Sequence, residues 1–186
     1  MRKVVVFNNV TLDGYFVDGK GDMNWAHKND PEWNAFMAEN ARGNGTLVFG
    51  RITYDLMVSW WPTPMAMQQF PDVAKGMNDL QKLVFSRTLE SVTWKNTRLV
   101  KSELASEIRR LKKENGPDMV ILGSGSIVAQ LAQHNLIDEY QIVLCPTALG
   151  SGRTMFEGLK NKMSLKLTKS RTFSNGNLFL NFQPVS

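Results

Sequence analysis

Three short apolar runs in this sequence end in related words. Leu47-Val48-Phe49 leads into Gly50-Arg51, Leu83-Val84-Phe85 into Ser86-Arg87, and Val120-Ile121-Leu122 into Gly123-Ser124. At the carboxyl end of a parallel strand, a small residue lets a ligand approach the backbone. Arginine beside it pairs with phosphate, and the dipole of a following helix favours an anion. Two or three such ends side by side would make a cradle for a polyphosphate. The turn Gly123-Ser124-Gly125-Ser126, with Ile127 opening the next helix, carries the strongest version of this signal. It is neither a GxGxxG fingerprint nor a Walker loop, because no Lys-Ser/Thr pair follows it. The plainer reading is that these glycines and serines only turn the chain and the arginines are surface residues.

Other residues with chemical potential are less specific. Asp13 follows the first apolar run in an Asp-Gly pair, where a carboxylate can hydrogen-bond a substrate or relay a proton, or simply cap a turn. Spacing alone favours the turn. Trp25, Trp60 and Trp61 have rings that could stack on a planar ligand, although aromatic packing in a core is the commoner use. His27 and His134 have no partner at metal-ligand spacing, and the single cysteine, Cys145, sits inside an apolar run. The sequence therefore gives no metal site and no nucleophile–base pair.

The elements that must hold these groups follow from periodicity and punctuation. A strand over residues 3–10 opens the chain, and Asp30-Pro31-Glu32 has the N-cap, proline and first-turn acid of a helix start, which Arg42-Gly43 stops. Strands at 46–49 and 82–85 follow, with a short helix over 52–58 and a proline-rich stretch around Trp60-Trp61-Pro62-Thr63-Pro64. A strand lies within 92–100, and Ser102 caps a helix reaching Glu114. Strand 119–122, the Gly123–Ser126 turn, helix 127–134 and strand 140–145 form the clearest unit. Strands 165–168 and 178–182 flank Ser174-Asn175-Gly176-Asn177, a strong hairpin turn. These elements describe one α/β domain with a mostly parallel central sheet and an antiparallel C-terminal hairpin edge.

The chain has 186 residues, 42% of them apolar and 21% charged, which suits one well-packed domain and excludes a disordered tail or a disulfide scaffold. No apolar stretch is long enough for a bilayer span, no signal-peptide cleavage pattern follows Met1, and one cysteine suits a reducing compartment, so a cytoplasmic location is expected. The net charge of +5 is uneven: residues 1–93 hold nine basic and ten acidic side chains, residues 94–186 thirteen and seven. Such a bias attracts phosphorylated molecules or nucleic acid. Its one dense run, Arg109-Arg110-Leu111-Lys112-Lys113, lies on a helix whose apolar stripe is Leu104, Ile108 and Leu111, and reads as a solvated face. Neither nucleic acid nor membrane is an expected partner. A homodimer is, because alternation along Leu178-Phe179-Leu180 and Phe182 buries only one face, leaving Phe179 and Phe173 in need of a surface.

Taken in order, the words of this sequence resemble the dihydrofolate reductase-like superfamily. Within it they are most similar to the branch typified by the C-terminal reductase domain of the bifunctional riboflavin-biosynthesis protein. The resemblance covers nearly the whole chain. It is carried by Thr11-Leu12-Asp13-Gly14-Tyr15, Gly50-Arg51-Ile52-Thr53-Tyr54, Ser86-Arg87-Thr88, the run from Val120 to Ile127, Leu136-Ile137-Asp138-Glu139-Tyr140, and the run from Pro146 to Gly152. It implies a three-layer α/β/α domain over residues 1–186 and a small-molecule reductase that uses NADPH. It places Gly50, Arg51 and Thr53 at the pyrophosphate, Ser86 and Arg87 at the adenosine 2′-phosphate, and the stretch Gly123, Ser124, Gly125, Ser126, Ile127 on the phosphates. It places Asp13 in the substrate site; position in the loop after the first strand then makes Asp13 the acid–base candidate and Trp25, further along that loop, the cap of the ring. The implied substrate is a small heterocycle or a ring-opened sugar-amine, of which a phosphoribosylamino-uracil of riboflavin synthesis is one case. Dihydrofolate reduction and a nucleotide-binding regulatory module without turnover stay open beside it.

Overall fold

The computed structural model describes residues 1–26 and 30–185; His27 falls outside the described residues. The first strand, β1 (Val4–Thr11), enters the centre of an eight-stranded sheet. A short strand, β2 (Tyr15–Val17), and a single 3₁₀ turn (Asn24–Ala26) lead to helix α1 (Pro31–Ala41). The chain continues through β3 (Thr46–Gly50), α2 (Arg51–Trp60), α3 (Pro64–Gln69), α4 (Pro71–Asp79), β4 (Gln81–Phe85) and β5 (Thr97–Val100). Then come α5 (Leu104–Lys112), β6 (Met119–Leu122), α6 (Gly125–Gln133) and β7 (Glu139–Cys145). A two-residue strand, β8 (Arg153–Thr154), pairs with β2, and β9 (Leu165–Thr172) and β10 (Leu178–Pro184) close the sheet.

Strand order is β5-β4-β3-β6-β1-β7-β10-β9. The first six run parallel, and β10 pairs antiparallel with both β7 and β9. This is the dihydrofolate reductase-like arrangement expected from the sequence. Alternation along β1 divides the core. Val4 and Val6 face α5 and α6, whose Ile108, Leu111, Val128 and Leu131 are buried with them. Phe7 faces α1 with Trp33, Val143, Phe173 and Phe179, while Leu47 and Phe49 pack under Tyr54 of α2 and Met77 of α4. The sheet is thus covered on both faces, as its near-continuous Val/Ile/Leu/Phe runs require.

Several local expectations need correction. Only Thr97–Val100 of the 92–100 stretch is strand; Trp94 before it is buried, stacked 6.2 Å from Phe49. Glu103, not Ser102, caps α5: its carboxylate accepts from Ala105 N and Ser106 N at 2.9 and 2.7 Å. The proline-rich stretch ends in a helix start, because Pro64 occupies the first position of α3, where no N–H is needed, and Pro71 beyond it opens α4 in the same way. Phe173 and Phe179 do not need a partner surface. They are 2% and 5% exposed, and Phe36 of α1 lies 5.0 and 5.2 Å from their rings. The homodimer expectation loses the two side chains on which it stood.

Candidate functional site

The three strand ends singled out in the sequence lie side by side. β4, β3 and β6 are consecutive in the sheet and parallel, so Ser86-Arg87, Gly50-Arg51 and Gly123-Ser124 emerge along one edge, with β1 next in line. Neighbouring strands stand about 4.8 Å apart, which makes a row of four strand ends roughly 14 Å long.

The middle of the row is built by two helix starts. Gly50 is the N-cap of α2 and Ser124 the N-cap of α6, and neither helix has a side-chain cap of its own. Ser124 is turned away from its helix by a left-handed backbone (φ 52°), following Gly123 at φ 59°. Its Oγ accepts from Gly50 N at 2.8 Å and donates to Thr53 Oγ1 at 2.8 Å, while Ser124 N donates to the same Thr53 oxygen at 3.1 Å. One serine and one threonine therefore pin the two helix starts together. The first amides of each helix, Gly125 and Ser126 in one and Arg51 and Ile52 in the other, have no acceptor among the described residues. They open on a shared groove that Arg153 of β8 also lines. Four unspent donors at the positive ends of two dipoles form a site for an anion.

Asn8 was missed by the sequence reading, and it orders this turn. Its Oδ1 accepts from Gly123 N at 2.6 Å and its Nδ2 donates to Gly123 O at 3.3 Å. A polar residue inside a buried strand was the available signal. The amides of Gly123 and Ser124 are thus already spent on Asn8 and Thr53, which leaves Gly125 and Ser126 as the free donors of the expected stretch; Ile127 N bonds Ser124 O at 2.8 Å.

At the β4 end, Ser86 Oγ accepts from Leu89 N at 3.0 Å and shapes its own turn, and Arg87 is exposed with no carboxylate partner among the described residues. Arg51 is paired with Asp55 one turn along α2 at 3.3 Å, both half-exposed, a contact that water and salt weaken. The cationic groups flanking the row therefore reach solvent.

Asp13 and Trp25 stand elsewhere. Asp13 accepts from Thr11 Oγ1 at 2.6 Å, Gly150 N at 2.7 Å and Leu149 N at 2.9 Å. These donors, the Thr11 hydroxyl foremost and then Gly150 N, hold its carboxyl below the ordinary aspartate range. Leu12 N bonds Thr147 O at 2.8 Å, so the two loops are tied together at this point. Such a carboxylate is an ionised clamp, and it has no proton to give near neutral pH. Trp25 packs beside the Phe7–Trp33 cluster with its Nε1 on Asp22 O at 3.3 Å, while its neighbours Asn24 and Ala26 line the groove. Asp30 caps α1 and accepts from Ser174 Oγ at 2.8 Å, and Glu32 pairs with Arg171 at 2.8 Å. Among the described residues no cluster of three potential metal ligands occurs.

Comparison with known sequences supplies the family. The model of the RibD C-terminal domain matches residues 2–179. The chain belongs to that family. The Bacillus subtilis protein YyaP is 29% identical over 180 residues, covering 94% of this chain and 91% of its own. A solved bifunctional diaminohydroxyphosphoribosylaminopyrimidine deaminase/5-amino-6-(5-phosphoribosylamino)uracil reductase from Thermotoga maritima superposes with a TM-score of 0.69 at 15% identity, over 99% of this chain and 57% of that one. Dihydrofolate reductase from Enterococcus faecalis, solved with NADP(H), gives a TM-score of 0.67 at 15% identity, over 99% and 97% of the two chains. At these identities the two structures speak for the fold, and that fold is shared by both kinds of reductase. This RibD-family chain spans a little over half the length of that bifunctional protein.

Proposed function

We propose that this RibD-family protein is an NADPH-dependent reductase of a small heterocyclic substrate. The observation that carries the reading is the pair of uncapped helix starts, α2 and α6, pinned by Ser124 and Thr53 so that their first amides face one groove. These residues fit a dinucleotide. The amides of Gly125, Ser126, Arg51 and Ile52 would bind its pyrophosphate, with Arg153 alongside. Arg87, one strand further out, would take the adenosine 2′-phosphate, and its exposure leaves it available for that pairing. Phe7, Trp33, Met37 and Leu122 wall an apolar recess by β1 and α1 that would receive the nicotinamide end. Bound NADPH supplies hydride; the protein orients the two rings and excludes water. The Asp13 clamp sets the loop around 147–150 and acts through position. A phosphoribosylamino-pyrimidine suits the basic second half of the chain, and this reading is supported by the family and by the shared fold.

Fluorescence titration with NADPH and NADH tests the cofactor. NADPH is expected to bind more tightly, and Arg87→Ala is expected to remove about 1–3 kcal/mol of that preference, the size of a charge-assisted contact. Equal affinities in the unmodified protein would overturn the assignment. Oxidation of NADPH with a panel of pyrimidines and pteridines then separates a reductase from a nucleotide-binding module.

A further inference from the structure

We infer that the outer edge of β9 binds an extended acidic peptide, which joins the eight-stranded sheet as a further strand with acidic and apolar residues in alternation. The charge distribution points there first. Residues 158–186 contain no aspartate or glutamate and five cations, Lys160, Lys162, Lys166, Lys169 and Arg171. Of the chain's 22 basic side chains these five leave 17, which the 17 acidic ones balance, so the whole net charge of +5 sits in this segment. Arg171 pairs with Glu32 at 2.8 Å, whereas the four lysines have no carboxylate partner among the described residues.

β9 turns that charge into a surface. It is the last strand of the sheet: β10 holds one edge, and the other has no strand partner among the described residues. Every residue from Lys166 to Thr172 is exposed. Plain alternation would put Lys166 on the opposite face from Lys169 and Arg171. The register slips, however, because Lys169 lies opposite Asn181 and Leu167 opposite Phe182, which leaves Thr168 as an extra residue. Lys166, opposite Gln183, thereby joins Lys169 and Arg171 on the α1 face. Leu165 and Leu167 fall on the other face with Phe182, and Leu167 is left 49% exposed. The strand is cationic on one side and apolar on the other.

Lysines on an edge strand guard it against pairing with copies of itself, since like charges opposite each other are unfavourable. That guard works by charge and fails against an acidic strand. The outward backbone groups of β9 supply hydrogen bonds that any extended chain can use, and the side chains select among chains. A strand laid beside β9 sets its acidic residues against Lys166 and Lys169 and its apolar ones against Leu165 and Leu167. Exposed Lys160 and Lys162, just before the strand, add to the attraction. Nucleic acid fits less well, because β9 carries no aromatic side chain on which a base could stack. The edge also lies three strands beyond β1, outside the row of strand ends that forms the groove.

The test uses the full-length protein without cofactor, so its outcome stands apart from what the groove binds. An alternating Glu-Val peptide as long as β9 is titrated in, beside a peptide of the same composition with its glutamates in one block and a single-stranded oligonucleotide. Backbone ¹⁵N signals, amide exchange and dissociation constants are followed. The alternating peptide is expected to shift the signals of β9, to slow exchange at every second amide of that strand, and to bind at least about tenfold more tightly than the block peptide. Lys166→Glu combined with Lys169→Glu, both at exposed positions, is expected to weaken it about tenfold and to favour a Lys-Val peptide instead. No binding of the alternating peptide, equal binding of the block peptide, tighter binding of the oligonucleotide, or an unchanged affinity in the double variant would each overturn the inference. So would protection of the outer β9 amides that grows with concentration of the protein alone, because a second copy would then hold the edge.

Discussion

Glycines at 123 and 125 look alike in the sequence, and the structure gives them different work. Gly123 has φ 59°, and a Cβ there would stand 3.1 Å from Thr53. Gly125 has ordinary helical torsions, and its added Cβ would meet Phe16 at 3.1 and 3.2 Å. Gly123→Ala therefore has a backbone cost of roughly 1–2 kcal/mol and also presses on the threonine that joins the two helix starts. Gly125→Ala costs only what Phe16 must yield. Urea unfolding is expected to show the larger loss for Gly123→Ala, with NADPH affinity falling alongside; the reverse order would mean that the left-handed turn is not what holds the cradle. Asp13→Asn belongs to the same scale. Replacing one carboxylate oxygen by an amide removes the charge and leaves a single neutral acceptor for Leu149 N and Gly150 N, so hydrogen exchange at those two amides should accelerate. Because its pKa is lowered in the fold, the clamp contributes fully above the ordinary aspartate value and is lost as pH falls through the folded one. Unchanged exchange in the variant would remove the clamp.

At the scale of elements, the parts that position the site were the parts legible in the sequence. The Gly123–Ser126 turn between β6 and α6 follows from an apolar run, two glycines and a second apolar stripe, and the α1 start from Asp30-Pro31. Both signals are local, so tertiary packing had little to override. What escaped was contact between elements. The chain separates Thr53 from Ser124 by 71 positions, and no spacing rule joins a helix N3 threonine to another helix's N-cap. The role of Asn8 escaped because its partner, Gly123, is 115 residues away. α3 and α4 were hidden by their prolines, which mark helix starts as readily as loops. The Ser124–Thr53 joint gives a direct test. Ser124→Ala removes the acceptor of Gly50 N and one of the two donors to Thr53, a loss expected to lower stability by about 1–2 kcal/mol. NADPH should bind more weakly, since the two helix starts are no longer held in register. Thermal unfolding and the fluorescence titration read the two effects separately, and a variant with normal values in both would show that the helices are held by packing alone.

On the scale of the whole molecule, the strand-end row and the groove occupy one edge, while the far end of β4 carries a buried cation with no part in that site. Lys82 is 1% exposed, and its Nζ donates to Leu80 O at 2.7 Å, Asn78 O at 3.1 Å and Lys95 O at 3.3 Å, 4.5 Å above the ring of Trp94. It closes the C-terminal end of α4 and joins that helix to β4 and to the segment before β5, the outermost corner of the parallel sheet. The carbonyls and the ring favour its charge, yet burial outweighs them, with the positive Lys95 adding to it, and the ammonium is pushed down to about 8 from the ordinary 10.5. Between those values the folded chain holds fewer protons at this site than the unfolded one, so stability must rise as pH is raised through that window. Two other groups set its upper limit. Burial pushes the Tyr140 phenol above its usual 10, and Asp79 raises Lys75 above 10.5, so both contribute stability that is lost at still higher pH. The melting temperature is therefore expected to climb between pH 8 and 10 and then flatten or fall. Lys82→Met removes the titrating group and also leaves three carbonyls without a donor, so it should melt lower at every pH while the climb itself disappears. Measuring the slope separates these two effects, since a lost helix closure alone lowers the curve without changing its shape. A variant that keeps the rise would transfer it to another group and leave Lys82 charged throughout.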